Sequence, residues 1–363
     1  MTSTNSADMT LENFPDAVNQ CLQEFFDAQR DAIAAIDPVV VSATQLLEDM
    51  VMGGGKRMRP MFAWTGYVGA GGSNEDPRAV LRAVSALEFI QACALIHDDI
   101  IDASDTRRGS PTVHRRVEAY HRQQGWQGAS STYGEAVAIL VGDLALSWAE
   151  DMLQTSGLSL AALARVRGAW SAMKTEVIAG QILDISVESS SNERADIAEK
   201  VNRFKTAAYT IERPLHIGAA LAEANDDVVH AYRAYGHDIG IAFQLRDDLL
   251  GVFGDPAVTG KPAGDDIREG KRTVLLAETL ARADATSPEA AERLRQRVGV
   301  ASEPAELAEL VDVMKAIGAD EIVENRIAEL TARGLSHLEK VQLAEGVQER
   351  LRELAIRATK RLV

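Results

Sequence analysis

Two aspartate-rich segments carry side chains that could bind divalent cations. The first, at 95–102, reads Leu-Ile-His-Asp-Asp-Ile-Ile-Asp and closes an apolar stretch. Asp98 and Asp102 are four residues apart, so on a helix they lie on one face, about one turn from each other. Two carboxylates at this spacing repel each other, which favours a cation between them over a merely solvated helix end. All-oxygen ligands indicate Mg²⁺, with Mn²⁺ as the alternative.

The second segment, at 244–251, reads Gln-Leu-Arg-Asp-Asp-Leu-Leu-Gly and again follows an apolar run. It supplies a second aspartate pair, Asp247 and Asp248. Two such segments at the ends of two apolar helices predict a cluster of several divalent ions. The position four residues after Asp247 is Gly251, so the second segment does not repeat the spacing of Asp98 and Asp102.

Short basic stretches lie beside both acidic segments, and each taken alone could be a solvated loop. They are Lys56-Arg57-Met58-Arg59 after three glycines, Arg107-Arg108 after the first aspartates, and Lys261 and Lys271 after the second pair. Guanidinium groups and the backbone amides of glycine turns both suit phosphate oxygens. The combination predicts a polyphosphate substrate, held by metal ions on one side and by cationic side chains on the other.

Helix-forming residues dominate the stretches that must position these side chains. Apolar residues from Val80 to Ile96 recur every three or four positions, which predicts an amphipathic helix. The same pattern predicts helices over 136–156, 160–190, 196–224, 228–253, 271–283, 287–297, 304–316, 319–340 and 345–362, with a loop over 254–270. No alternating β-branched run and no strand, glycine turn and helix unit is evident. We therefore expect an all-α fold in a single domain over 1–363, with 1–12 as a mobile segment.

Composition excludes several classes of protein. The chain has 363 residues, and 38 Lys and Arg against 54 Asp and Glu give a net charge of −16, which argues against nucleic acid as a partner. Its two cysteines, Cys21 and Cys93, offer no disulfide framework. We find neither a signal peptide nor an uninterrupted apolar stretch of about 20 residues, so we expect a cytoplasmic protein without a transmembrane segment.

Taken in order, the motifs resemble those of the trans-isoprenyl diphosphate synthases, or polyprenyl synthetases, over about residues 15–355. The matching motifs are Gly-Gly-Lys-Arg-Met-Arg-Pro at 54–60, the aspartates at 98–102 with Arg107-Arg108, Gly180-Gln181 with Asp184, Phe204-Lys205-Thr206, and Gln244 to Asp248. The resemblance is greatest to bacterial synthases of geranylgeranyl diphosphate. It implies an orthogonal bundle of long antiparallel helices around a central cavity, a magnesium cluster and a homodimer.

The resemblance also implies a role for each matching residue. Isopentenyl diphosphate would be bound by Lys56, Arg59, Gln91 and Arg108. The allylic diphosphate would be bound by Arg107, Lys205, Thr206, Gln244, Lys261 and Lys271, with Thr206 and Gln244 also stabilising the carbocation. The metal ions would be bound directly by Asp98, Asp102 and Asp247, and through water by Asp99, Asp184 and Asp248.

The implied reaction joins isopentenyl diphosphate to dimethylallyl, geranyl or farnesyl diphosphate by ionisation, condensation and elimination. Product length would depend on the residues four, five, eight and nine positions before Asp98, which descend the same helix. Ala94 and Cys93 are small, so the chain should grow past farnesyl length. Ile90 and Phe89 are bulky enough to stop it one level lower, which predicts a C20 product, although Phe89 could equally serve only as core packing.

Several alternatives stay open. The chain could make farnesyl or longer diphosphates, or could be a non-catalytic partner subunit of a heteromeric synthase. The pair His97-Asp98 could belong to a metal-dependent phosphohydrolase, which would need further histidine ligands. A terpene cyclase would not need the basic site at 56–59, and a di-iron protein would need two Glu-x-x-His motifs, of which we find one, at Glu118–His121.

Overall fold

The structure, a computed structural model, describes residues 13–107, 109–255 and 263–360. They form two compact units. The first unit contains the described residues up to Gly168 together with Ile217–Glu223, and the second contains Ala169–His216 and the described residues from Ala224 onward. Helices dominate the described residues, and the only sheet among them is one short two-stranded hairpin, which confirms the predicted all-α class. The single domain predicted over 1–363 remains a prediction, and the segment 1–12 lies outside the described residues.

The first unit is built from seven complete helices and the hairpin. The helices are α1 (Phe14–Ala34), α2 (Pro38–Met52), α3 (Met58–Gly69), α4 (Pro77–Ser85), α5 (Leu87–Ile101), α6 (Val113–Gln123) and α7 (Ser130–Gln154). Between α5 and α6, strands β1 (Thr106–Arg107) and β2 (Ser110–Pro111) pair antiparallel. Two further helices, α8 (Leu160–Ser189) and α10 (Arg213–Leu221), have residues in both units.

The second unit contains one element of a rarer type. A π-helix, Asn202–Glu212, lies between α9 (Ala195–Val201) and α10. The other helices of this unit are α11 (Asp226–Phe253), α12 (Asp265–Glu269), α13 (Val274–Thr286), α14 (Pro288–Arg297), α15 (Pro304–Ile317), α16 (Ala319–Leu338) and α17 (Val347–Thr359).

Side-chain caps explain where several helices begin. Asp37 precedes Pro38, and its carboxylate accepts a hydrogen bond from the Val39 amide at 2.8 Å. Asn225 caps α11 in the same way, accepting from the Val228 amide at 3.0 Å. Such caps satisfy amide groups that have no partner within the helix.

Each unit has its own apolar core. In the first, Phe14, Phe62, Trp64 and Leu87 are fully buried, and α7 packs against both α5 and α6. In the second, α11 packs against α16 and against the π-helix. A Cβ atom at Gly240 would lie 2.5 Å from that of Ala207, so a glycine is needed on α11 where the π-helix passes.

The structure differs from the sequence prediction in three elements. The helix predicted over 196–224 is interrupted by the π-helix, because the spacing of apolar residues does not distinguish the two helix types. The helix predicted from Val80 to Ile96 is divided at Ala86 into α4 and α5. The loop predicted over 254–270 contains the short helix α12, which begins after Gly264.

The stretch Pro77–Ile101 is, by length and composition, apolar enough to cross a membrane, with a mean hydropathy of 1.7 over its most apolar window. That window is 78% buried inside the protein. Burial to this extent is typical of core helices, so the stretch is weak evidence for a membrane span.

Candidate functional site

The first aspartate motif lies at the end of α5, where its carboxylates differ in environment. The side chain of Asp98 is 19% exposed and that of Asp99 only 2%. Asp102 caps the helix, and its amide donates to the Asp98 carbonyl at 2.8 Å. Asp98 and Asp102 therefore remain partly open to solvent, as expected of direct metal ligands, whereas Asp99 is enclosed.

Arg107 on strand β1 bridges the first two of these aspartates. Its Nε donates to Asp99 Oδ1 at 2.8 Å, and its Nη2 lies 3.5 Å from Asp98 Oδ2. Burial raises the pKa of Asp99 to about 6, with a smaller contribution in the same direction from Asp98 and Asp102, while the Arg107 charge opposes the rise. The hairpin thus brings a guanidinium to the carboxylates, where it could also contact a bound diphosphate.

The glycine-rich segment before α3 holds two of the residues predicted to bind isopentenyl diphosphate. Lys56 is exposed and Arg59 is buried, on either side of a buried Arg57. The Arg57 guanidinium pairs with Glu88 at 2.5 Å. Glu88 stands on α5 three residues before Gln91, which is partly exposed, so the basic segment is tied directly to the helix that carries Gln91.

The four predicted chain-length residues are arranged on α5 by increasing burial. Ala94 is partly exposed and Cys93 is 9% exposed, whereas Ile90 and Phe89 are 2% and 0% exposed. An aromatic cluster encloses the Phe89 ring, whose centroid lies 5.2 Å from that of Phe25, 5.3 Å from Phe26 and 6.1 Å from Trp148. Aromatic side chains from two other helices therefore pack against Phe89, one of the two bulky residues predicted to stop the growing chain.

In the second unit, Gly180 accounts for the position of Lys205. A Cβ atom at Gly180 would lie 2.3 Å from the backbone nitrogen of Lys205, so α8 and the π-helix meet at backbone distance. Asp184 is four residues further along α8, and its Oδ2 accepts a hydrogen bond from Lys205 Nζ at 2.5 Å. Thr206 is the next residue of the π-helix and is partly buried.

The second aspartate motif lies on α11. Asp247 is exposed, whereas Asp248 is 2% exposed and accepts a hydrogen bond from Gln244 Nε2 at 2.8 Å. Burial, assisted by the charges of Asp266 and Asp247, raises the pKa of Asp248 to about 8. The other oxygen of Asp248, Oδ2, is buried, and the nearby Asn202 side chain and Gln244 both oppose the rise in the pKa of this carboxyl.

Asp266 was not among the residues predicted from the sequence. Its Oδ2 lies 2.2 Å from where a Cβ atom at Gly251 would be, so the carboxylate occupies the space that a side chain at 251 would fill. Lys271 Nζ lies 4.0 Å from Asp266 Oδ1 and 2.9 Å from Glu269 Oε2. The signal in the sequence was the departure at Gly251, which left the second motif one carboxylate short.

Two predicted ligands, Arg108 and Lys261, lie outside the described residues. Within the described ranges, no group of three or more His, Cys, Asp and Glu side chains is already arranged as a metal site. Mg²⁺ usually takes one or two carboxylates and completes its shell with substrate phosphates and water. Asp247 is exposed to solvent and Asp98 and Asp102 are partly exposed, so these carboxylates suit that kind of binding.

Both units thus present carboxylates and cationic groups on long helices, residue types that suit an all-α enzyme acting on diphosphates. The chain belongs to the polyprenyl synthetase family, whose model matches residues 41–316. The family predicted from the sequence is therefore confirmed, and the comparisons with known proteins agree with the predicted class of enzyme, a prenyltransferase of the trans-prenyl diphosphate synthase type.

Two solved structures and one further relative illustrate how similar known proteins are to this chain. A geranylgeranyl pyrophosphate synthase from Corynebacterium glutamicum, crystallised with isoprenyl diphosphate and magnesium, is 57% identical with a TM-score of 0.95, and the match covers 98% of this chain and 100% of that one. The corresponding synthetase from Pyrococcus horikoshii is 25% identical, with a TM-score of 0.79 over 97% of each chain. A short chain isoprenyl diphosphate synthase from Methanocaldococcus jannaschii is 35% identical, and the alignment spans 64% of each protein, just under two thirds.

Proposed function

We propose that the protein condenses isopentenyl diphosphate with an allylic diphosphate to give an all-trans prenyl diphosphate, most favourably geranylgeranyl diphosphate. The observation that carries the proposal is the full-length similarity, at 57% identity, to a geranylgeranyl pyrophosphate synthase crystallised with isoprenyl diphosphate and magnesium. The proposed substrates are isopentenyl diphosphate and the dimethylallyl, geranyl and farnesyl diphosphates.

In the proposed reaction the allylic substrate first loses diphosphate. Lys205 and Arg107, with Lys261 and Lys271, neutralise charge that develops on the departing oxygens. Magnesium ions bound to Asp98, Asp102 and Asp247, and through water to Asp99, Asp184 and Asp248, would supply Lewis-acid assistance to this departure.

The second step joins the two substrates. Lys56, Arg59, Gln91 and Arg108 hold isopentenyl diphosphate so that its double bond meets the allylic carbocation. The Thr206 carbonyl and hydroxyl and the Gln244 amide orient dipoles toward the positive charge without offering a nucleophilic water. The proton then leaves to the released diphosphate, so the protein needs no general base.

The C20 product is supported by the gradation along α5. Ala94 and Cys93, nearest the first motif, have small side chains, whereas Phe89 is fully buried within the aromatic cluster. A growing chain would pass the first two residues and stop at Ile90 and Phe89.

The test is direct. Purified protein is incubated with Mg²⁺, isopentenyl diphosphate and each of the C5, C10 and C15 allylic diphosphates, and the product alcohols are sized. We expect C20 to dominate with every starter. Farnesyl or longer products would move the assignment to another chain length, and absence of turnover by the pure chain would favour the non-catalytic partner subunit.

We also propose a homodimer. Ile139 and Leu140 on α7 are 46% and 65% exposed, and a second copy of the chain would remove these apolar side chains from water. Light scattering coupled to size exclusion should give twice the chain mass of 39.2 kDa. The variant Leu140→Glu should shift the protein toward monomer, and a monomeric wild type would contradict the proposal.

A cytoplasmic location is the last part of the proposal. It is supported by the absence of a disulfide framework, since Cys21 and Cys93 are both free and buried. Fractionation of producing cells should recover the protein with the cytoplasmic fraction, and recovery with the membranes would contradict this.

A further inference from the structure

Arg57 is the one basic residue of the glycine-rich segment to which no role has been given above. Arg57 is 3% exposed, and its guanidinium contacts three helices. Nε donates to Asn19 Oδ1 on α1 at 2.9 Å, Nη2 donates to the Val51 carbonyl on α2 at 2.7 Å, and Nη1 donates to Glu88 Oε2 on α5 at 2.5 Å.

The backbone around Arg57 needs an anchor. Gly54 and Gly55 have φ values of 97° and 144°, which only glycine adopts readily, and three successive glycines leave this part of the chain very flexible when unanchored. Arg57 itself has a φ of 48°, in the left-handed region that an L-residue occupies only when its surroundings impose it. The three hydrogen bonds of its guanidinium provide that constraint.

The hydrogen bonds of Arg57 also fix the position of the glycine-rich segment relative to α5. Lys56 and Arg59 flank Arg57, and Glu88 precedes Gln91 by three residues on α5, so it lies about one turn away on the same face. The buried pair of Arg57 and Glu88, whose side chains are 2% and 5% exposed, therefore joins the backbone bearing Lys56 and Arg59 to the helix bearing Gln91.

We infer that Arg57 is a positioning residue for the isopentenyl diphosphate subsite, and that its buried bond to Glu88 holds Lys56 and Arg59 in register with Gln91. The inference rests on the proposed function, because it takes the isopentenyl role of those three residues from it. Loss of these hydrogen bonds should weaken the binding of isopentenyl diphosphate and not that of the allylic diphosphate, since Lys205 and Asp184 are positioned by other elements.

The experiment measures steady-state kinetics with each substrate varied separately. The variants are Glu88→Gln and Arg57→Lys, which keep the side chains close to their original size. Glu88→Gln removes the negative charge of the ion pair, and Arg57→Lys removes the guanidinium that donates three hydrogen bonds. We expect KM for isopentenyl diphosphate to rise about tenfold or more, whereas KM for the allylic substrate and kcat stay within about threefold. Asn19→Ala, which removes only one of the three bonds, should give a smaller rise and serves if the first two variants do not fold.

Glu75→Gln is the matched control. Glu75 is another carboxylate of the first unit, 7% exposed, paired with Arg165 at 3.6 Å and accepting from Ser159 at 2.6 Å. Its loss should lower Tm without changing either KM. Equal changes in both KM values, or a fall in Tm with both KM values unchanged in the Arg57 and Glu88 variants, would overturn the inference.

A lack of turnover by the wild type would count against the proposed function instead. In that case the affinity of the same variants for isopentenyl diphosphate alone, measured by calorimetric titration, tests the positioning role of Arg57. Affinity that falls about tenfold in Glu88→Gln but not in Glu75→Gln would support the positioning role, and equal affinities would overturn it.

Discussion

Asp98 and Asp99 are neighbours in the sequence, yet their side chains are 19% and 2% exposed. Asp247 and Asp248 differ in the same sense, one exposed and the other buried. The spacing of the aspartates indicated carboxylates for metal ions and the family resemblance suggested which would bind through water. Burial raises the pKa of Asp248 to about 8, and the charge of Asp266, which lies on another helix, contributes in the same direction. Residue types were therefore readable from the sequence, but protonation states were not.

His216 should make stability depend on pH. Arg213 Nη1 lies 3.0 Å from His216 Nδ1, and since arginine can only donate, this nitrogen must accept and the ring must be neutral. Burial, with the Arg213 and Arg233 charges, lowers the pKa of His216 from 6.5 to about 4. The folded state therefore binds fewer protons than the unfolded state between these values. The contribution of neutral His216 to the free energy of unfolding is therefore fully present above about pH 6.5 and is lost as the pH falls toward about 4.

The measurement is urea unfolding at several pH values. The wild type should lose up to about 3 kcal/mol of unfolding free energy through His216 between pH 6.5 and 4. His216→Gln, whose side-chain oxygen can still accept from Arg213, should not show this loss. His230→Gln, at an exposed position of α11, is the control and should follow the wild type. Parallel curves for His216→Gln and wild type would contradict the prediction.

Gly251→Asp should not restore a conventional second motif. The new Cβ atom would lie 2.2 Å from Asp266 Oδ2, and a further negative charge would approach Asp248. We expect a loss of about 1–3 kcal/mol in the free energy of unfolding. Adding Asp266→Gly should recover much of this lost stability. If the destabilisations of the two single variants simply add in the double variant, the two side chains do not compete for one space.

At the scale of elements, glycines decide how closely helices approach. Gly180 on α8 and Gly240 on α11 both stand where the π-helix comes within backbone distance. The sequence marked Gly180 through its motif, but it contained no indication that the partner element would be a π-helix. Periodicity predicted helices in the right places, whereas the π-helix Asn202–Glu212 lies where Gly180 and Gly240 bring two other helices to backbone distance, which no local pattern reveals.

Gly180→Ala tests this contact. A Cβ atom 2.3 Å from the Lys205 nitrogen would push α8 and the π-helix apart and displace Lys205 from Asp184. We expect about a 100-fold fall in kcat/KM and a lower Tm. Gly168→Ala on the same helix meets nothing within 4 Å and should be more stable than wild type by about 0.5–1 kcal/mol. Similar activities for the two variants would contradict the prediction.

Helix α5 should set product length by position. Ala94→Phe introduces a large ring one turn before Asp98 and should shorten the product toward C15 or C10, because the chain would meet it first. Phe89→Ala, which opens the aromatic cluster, should lengthen the product beyond C20. Sizing the extracted alcohols checks both variants, and an unchanged product profile in Ala94→Phe would refute the role of this helix face.

At the scale of the whole molecule, a net charge of −16 must be reconciled with anionic substrates. The proposed function reconciles the two if the acidic motifs bind the phosphates through divalent cations, so we expect turnover to require a metal ion. Fold class and family could be read from the sequence because helix periodicity and motif order extend over nearly all of the chain. The contacts of Arg57 and Asp266 could not, since residues far apart in the sequence create them.

Removal of divalent cations should therefore abolish turnover. We expect a chelator to stop product formation and added Mg²⁺ to restore it. Asp98→Ala should reduce the rate by more than tenfold at saturating Mg²⁺, a barrier increase above about 1.4 kcal/mol. Asp105→Ala, at a side chain that is 79% exposed and pairs only with Arg115 among the salt bridges described, should keep the wild-type rate. A rate for Asp98→Ala within tenfold of wild type would remove this residue from the metal ligands.

The π-helix also makes the chain sensitive to residue number in one place. Its hydrogen bonds span one more residue than those of an α-helix, so loss of one residue other than Lys205 or Thr206 would let Asn202–Glu212 relax towards α geometry while the flanking helices keep their orientation. Lys205 lies inside the segment, so its direction relative to Asp184 would change although no functional residue had been removed. A single deletion here should therefore reduce activity more than it disturbs the flanking helices.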